Sequence, residues 1–312
     1  MDGNIIGASG HARVADLDVL PLPLRGLLDN SLYRSPETGN PLTIISGNRG
    51  CPSKCIFCPA GVVSGYKLRL RSPQSILAEL HDCVEIHGIH EFLFNGDTFT
   101  MNKRWLLELC NGITSADFKI HWGCNSRVDT MDAERAQALK KAGCWVVAFG
   151  IESGDQGMLD YMKKGTKVED AERAVAICKA AGLAVHTFFI IGLPWETEAT
   201  LEKTYQFIKK LNPDFFDINI AFPLPGTELY DIATTEGLIT SPEGEGSYAV
   251  SAVRSRALSA ERLTEWRKKT LLRLYARPGY VARTLWRALK SGTLKHYVRA
   301  AMTRAKGLLA IK

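Results

Sequence analysis

The sequence predicts an α/β protein, with a parallel sheet of six β/α units followed by a mainly helical extension. Three observations lead there. Between residues 43 and 221, short apolar, β-branched or aromatic runs alternate with longer stretches of helical periodicity. The runs lack clean polar alternation, as expected of strands covered on both faces. Proline, glycine and capping residues separate them at helix ends. Strands that alternate with helices pair in parallel through right-handed crossovers, and a ligand then lies at the carboxyl ends of the strands.

Taken in order, Asp16-Leu17-Asp18-Val19-Leu20-Pro21-Leu22-Pro23 reads as an extended connector, because closely spaced prolines disfavour a helix. It belongs to an N-terminal extension over residues 1–40. The core, residues 41–235, holds the six runs at 43–46, 91–95, 119–123, 145–150, 184–191 and 215–221. Ser72 before Pro73 opens a helix that Gly88 closes, Asp132 opens another that Gly143 closes, and Gly182 ends a third. Residues 236–312 form a basic extension in which 259–277, 279–291 and 293–309 read as helices. Six units fall short of the complete eight-fold barrel, which leaves a partial barrel and a doubly wound sheet in competition.

A hydrophobic fraction of 46% with 23% charged residues excludes collagen-like, low-complexity and strongly disordered chains. No apolar run approaches the ~18 residues that span a bilayer. Met1-Asp2-Gly3-Asn4 lacks the basic opening of a secretory leader, so a cytoplasmic protein is expected. The net charge of +6 is unevenly spread. From Arg254 to Lys312, 16 Lys or Arg stand against Glu261 and Glu265, leaving 23 basic against 31 acidic residues before that point.

Eight cysteines in 312 residues are too sparse for a disulfide scaffold. Three of them fall in Cys51-Pro-Ser-Lys-Cys55-Ile-Phe-Cys58, a C-x3-C-x2-C spacing directly after the first predicted strand. In a reducing cytosol such clustering points to a metal. Thiolates hold iron–sulfur clusters, and a [4Fe–4S] cluster ordinarily takes four. Three would leave one iron open to substrate or cofactor. Structural zinc normally takes four protein ligands in paired spacings, and none of the five remaining cysteines forms such a pair.

On this motif the sequence resembles the radical S-adenosylmethionine enzymes, whose C-x3-C-x2-C holds a [4Fe–4S] cluster that chelates the methionine moiety of S-adenosyl-L-methionine. The resemblance implies a partial (β/α)6 TIM-like barrel of parallel strands, with Cys51, Cys55 and Cys58 as catalytic cluster ligands. Phe57 occupies the family's aromatic place before the last cysteine, near adenine. Asn95-Gly96-Asp97 is similar to the Gly-Gly-Glu-like segment that meets the methionine amino group; Asn95 and Asp97 depart from that pattern, so a backbone role is implied. Ser126, Arg127 and Glu152, at the third and fourth strand ends, are implied candidates for the methionine carboxylate and ribose hydroxyls. A surface ion pair for Arg127 and a helix cap for Ser153 are the plainer alternatives. Ile191 and Gly192 open a segment, Gly192-Leu193-Pro194-Trp195-Glu196-Thr197, that resembles the family's adenine-packing Gly-Leu-Pro-Gly-Glu-Thr. Trp195 there either narrows the pocket or caps a helix. Cys124 is either a small buried residue or a hydrogen-atom donor.

Asp16 to Pro23, the segment after Tyr33, and Phe222 to Tyr230 further resemble the cobalamin-binding subgroup of that family, which includes methyltransferases and a cyclase. In that subgroup a cobalamin domain precedes the connector, and here the sequence begins almost at the connector. The expectation is an enzyme that does not bind cobalamin through its own chain; a truncated chain and a separate cobalamin subunit are the alternatives. The resemblance implies a radical enzyme acting on a carbon centre of a small or lipid-like substrate, with an electron donor such as flavodoxin or ferredoxin. A cobalamin-using methyltransferase, or a non-catalytic iron–sulfur carrier or sensor, would be the other outcomes. The basic helices of the tail either pack on the barrel or rest on the inner face of a membrane, and no nucleic acid partner is expected.

Overall fold

The computed structural model describes residues 13–241 and 247–310. Six strands form the main sheet: β1 Leu42–Ser46, β2 Glu91–Asn95, β3 His121–Ser126, β4 Cys144–Glu152, β5 Ala184–Ile191 and β6 Phe215–Ile220. Each pairs in parallel with its predecessor. A doubly wound sheet reverses its strand order at a switch point, and this order contains no reversal. The winding is that of a barrel left open between β1 and β6, a partial (β/α)6 TIM-like barrel.

β3 lies two residues later than periodicity places it. Its register is set by pairing Glu91 with His121 and, at the far end, Ser126 with Phe149, which draws polar Asn125 and Ser126 into the strand. Their intrinsic preference is against strand, so only the neighbours show it.

The helices cover one face of the sheet. They are α1 Pro73–Glu85, α2 Lys103–Ser115, α3 Ala133–Lys141, α4 Val168–Ala180 and α5 Glu198–Leu211. Ser72, Asn102, Asp132 and Thr197 cap the first, second, third and fifth through their side-chain oxygens. α1 buries Ile76, Leu80, Cys83 and Val84, spaced as one helical face, against Phe92 and Phe94 of β2. On β5, Val185, Thr187, Phe189 and Ile191 are buried, whereas His186, Phe188 and Ile190 are only half-buried. The expectation of strands covered on both faces is therefore corrected: among the described residues the concave face is only partly covered, Arg287 lying over Phe215 and Arg304 donating to Asp217.

The connector is not extended throughout. Short 3-10 turns form at Leu17–Val19, Arg25–Leu27 and Asn30–Leu32, and the prolines at 21 and 23 fall between them. Buried Arg25 donates to Glu79 at 2.6 Å, and Ser72 N–H donates to Asp18, so this segment is tied to α1.

Beyond β6 and the helix Glu228–Thr235 come α6 Ala260–Tyr275, α7 Pro278–Lys290 and α8 Leu294–Ala310. α6 lies along the edge strand β6, burying Trp266, Leu271 and Leu274. Its Tyr275 hydroxyl donates to the Phe216 carbonyl at 3.1 Å, and Arg267 Nε donates to that of Ile218. These bonds satisfy backbone acceptors that an uncovered edge would offer to another strand. None of the described helices is long and apolar enough to cross a membrane.

Candidate functional site

After β1 the chain passes Gly47 into a two-residue strand, Asn48–Arg49, paired antiparallel with Arg69–Leu70. The loop between them carries the three clustered cysteines, at the carboxyl end of β1. Gly50 starts the loop at φ 88°, and a Cβ there would lie 2.1 Å from the Lys67 carbonyl oxygen, so a side chain has no room. Cys51 N–H donates to the Gly65 carbonyl at 3.1 Å, Ile56 N–H to that of Met162 at 3.0 Å, and Leu229 N–H to that of Ile56 at 2.9 Å. Ile56 sits in a small apolar cluster with Met158, Met162 and Leu193, against which Phe57 and Trp195 pack. The middle of the loop is thereby held to the segments that follow β4 and β6.

Cys51 is buried with its Sγ 3.2 Å from Thr98 Oγ1, while Cys55 and Cys58 are half-buried. Burial pushes the Cys55 and Cys58 thiols up; the Lys164 and Arg127 cations act against it at Cys55. The neighbouring thiols add to the rise, Cys51 at Cys55 and both Cys55 and Cys51 at Cys58. Among the described residues no three His, Cys, Asp or Glu side chains are drawn up into a metal-holding group. The fit to an iron–sulfur cluster therefore rests on donor chemistry, three soft thiols on one loop beside cations that favour their thiolates. The other five cysteines, Cys83, Cys110, Cys124, Cys144 and Cys178, are buried in the core under the helices. Cys124 is therefore no candidate hydrogen donor: it lies on the helical side of β3, in the core cluster with Cys144.

The structure brings Phe57, Arg127 and Glu152 together with the thiols and adds Lys164. Glu152 closes β4 at φ 73°, a conformation that side chains rarely adopt and that clusters at functional sites. Lys164, buried, donates to Glu152 Oε1 at 2.8 Å and lies 5.9 Å from the Phe57 ring centre. Arg127 holds Asp129 through two bonds of 2.9 Å and reaches the Lys164 carbonyl at 2.9 Å. It does form an ion pair, in a largely buried place. Lys164 was not apparent from sequence, because a helix separates it from Glu152 and nothing local marks it.

Other expected residues are engaged locally. The Ser126 hydroxyl meets Thr100 Oγ1 at 2.5 Å and accompanies Thr130. Gly47 N–H donates to the Asn95 carbonyl at 2.9 Å, and the Asp97 carboxylate accepts from Gly50 N–H. The Gly96 carbonyl accepts from Asn125 Nδ2 at 2.6 Å, whereas Asn125 Oδ1 is buried without a donor. Such an orphan is rare in folded proteins and asks for an explanation.

Beyond Ile191, Gly192 adopts φ 82° and donates its N–H to Glu196 Oε2 at 3.2 Å. Trp195 does not cap α5, since Thr197 does. Instead it stacks on Tyr161, centres 4.7 Å apart and planes 5° from parallel, with the Arg256 guanidinium 5.3 Å from its ring centre.

Residues 45–208 match the model of the Radical SAM superfamily. The chain is 31% identical over 278 residues to the Uncharacterized methyltransferase PH0819 of Pyrococcus horikoshii, covering 89% of this chain and 60% of that protein. It is 29% identical over 235 residues to the anaerobic magnesium-protoporphyrin IX monomethyl ester cyclase of Rubrivivax gelatinosus, covering 73% and 41%. The fold matches the cobalamin-dependent S-adenosylmethionine radical enzyme OxsB, solved with aqua-cobalamin and S-adenosylmethionine bound, at a TM-score of 0.61 and 17% identity, over 81% of this chain and 46% of that one. The chain thus spans about half the length of the relatives it matches.

Proposed function

The chain belongs to the radical SAM superfamily, and from that premise we propose that it cleaves S-adenosylmethionine reductively and acts on a carbon centre of a small or lipid-like substrate. Cys51, Cys55 and Cys58 would hold the [4Fe–4S] cluster. The observation that carries this reading is the division of the cysteines: three share one loop at the strand ends, and five are buried in the core. Held by those three thiolates, such a cluster would supply the one-electron reduction that splits S-adenosylmethionine for hydrogen abstraction from carbon.

The chain's own residues position and shield. Lys164 and Arg127 set positive charge beside the thiols, where a carboxylate would be held. Asn125 Oδ1, beside the Gly96 carbonyl, offers an acceptor to an ammonium group. Phe57 and Trp195 supply apolar walls that keep water from a reactive intermediate. A second reading, methyl transfer with cobalamin supplied from outside the described residues, is favoured by the relative PH0819, a methyltransferase by name.

Anaerobic reconstitution with iron and sulfide, followed by dithionite and S-adenosylmethionine, should release 5′-deoxyadenosine. Cys55→Ala should abolish that release while leaving the fold intact by circular dichroism. A cluster that forms and is reduced, yet yields no deoxyadenosine, would make the protein an electron carrier or sensor instead.

A further inference from the structure

A surface helix ordinarily turns its apolar stripe to the core and its charges to water. α7 does so only in part: Tyr280 packs on Phe216 and Ala288 is buried, but its larger aliphatic side chains and Trp286 face outward. Its inward arc carries Arg283, donating to the Pro213 carbonyl at 2.8 Å, and Arg287, which pairs with the Asp214 carboxylate and lies over the Phe215 ring at 5.4 Å. Its outward arc carries Val281, Leu285, Trp286 and Leu289, the last two 63% and 64% exposed. At 3.6 residues per turn these four share one half of the helix.

α8 continues the pattern. Leu294, Val298 and Met302, one turn apart, are all exposed. Lys295, Arg299 and Lys306 are exposed on the flank beside them. From Trp266 to Lys312 the chain contains no Asp or Glu, so nothing in this segment opposes that charge. By contrast α6, the other basic helix, spends Arg267 and its apolar stripe on β6.

We propose that α7 and α8 form a peripheral docking surface for anionic lipid, the Val281–Leu285–Trp286–Leu289 and Leu294–Val298–Met302 stripes entering the headgroup boundary while the flanking Lys and Arg meet phosphate. The occupant follows from the combination: exposed aromatic and aliphatic stripes alone would suit many partners, but beside an unopposed basic flank they fit an anionic interface. The surface is independent of the cluster loop, so its test does not depend on activity.

The 312-residue chain is sedimented with vesicles of phosphatidylcholine alone and of phosphatidylcholine mixed with phosphatidylglycerol, at low and high salt. Binding is expected only to the mixed vesicles, falling as salt rises. Lys295→Gln with Arg299→Gln should weaken it about fivefold per charge. Leu285→Ala with Trp286→Ala should weaken it at least as much, with the thermal midpoint unchanged because both side chains already face solvent. Failure of the intact protein to bind mixed vesicles at low salt overturns the proposal, as does binding that ignores both double variants. A concentration-dependent dimer, abolished by Leu285→Ala with Trp286→Ala, would assign the stripes to a second copy of the chain and overturn it equally.

Discussion

Glu196 is 2% exposed, and burial pushes its carboxyl up to about 7, with the nearby Asp155 charge adding to the effect. In the unfolded chain a glutamate titrates near ~4.3, so between that value and about 7 the folded state holds a proton that the unfolded state releases. Stability therefore falls as pH rises through this window, and the full cost, about 4 kcal/mol, is present above it. Glu196→Gln keeps a neutral acceptor near Gly192 N–H at every pH. Its thermal midpoint relative to the parent should rise steadily from about pH 5 to about pH 8; parallel melting curves across that range would refute the assignment. The position of Glu196 beside a cofactor-type loop was legible from the Gly192 segment. Its burial was not, because no local pattern reports that Thr200, Ser255 and α5 close over it. Lys164 and Asn125 went unrecognised for the same reason: one acquires its meaning from Glu152, the other from the Gly96 carbonyl, and both contacts are made by the fold.

At the scale of elements, caps and helical spacing were informative because they act within one turn of the chain. Ser72, Asp132 and Ser259 each accept the backbone N–H three residues on, and the helices start where those residues stand. What escaped was the lateral environment: the partly covered concave face of the sheet, and the use of α6 as an edge cover for β6. The second point is measurable. Tyr275→Phe removes the 3.1 Å bond to the Phe216 carbonyl and should lower stability by about 1 kcal/mol in urea denaturation. Arg267→Met, which deprives the Ile218 carbonyl of a charged donor, should cost about 1.5–3 kcal/mol. Lys269→Gln on the same helix breaks only an exposed pair with Glu265 and should stay within about 0.5 kcal/mol. Equal effects at 267 and 269 would mean that α6 does not protect the edge.

For the molecule as a whole, the open side of the barrel decides what chemistry the chain can carry alone. His121, Trp145 and Phe188 line the concave face half-buried or exposed, His121 stacked on Trp145 at 5.3 Å, whereas Arg287 and Arg304 of the tail helices reach that face at Phe215 and Asp217. On the outside, Leu24, Leu27 and Leu32 of the N-terminal segment are at least three-quarters exposed, and the relatives matched are longer than this chain. Two readings then differ in what the sulfonium loses. If the chain works by radical chemistry without cobalamin, reconstituted protein given dithionite and S-methyl-labelled S-adenosylmethionine should form methionine and 5′-deoxyadenosine in equal amounts. All label would remain in methionine, and added hydroxocobalamin would change nothing. If methyl transfer through cobalamin is the function, S-adenosylhomocysteine should appear only when cobalamin is present, and Cys51→Ala should abolish it together with the deoxyadenosine. We expect the first outcome, on the proposed reading in which Lys164, Arg127, Glu152 and Asn125, grouped at the strand ends, would serve one nucleoside cofactor. Cobalamin-dependent S-adenosylhomocysteine would displace that expectation while leaving the cluster assignment standing, since both routes require the same three thiols.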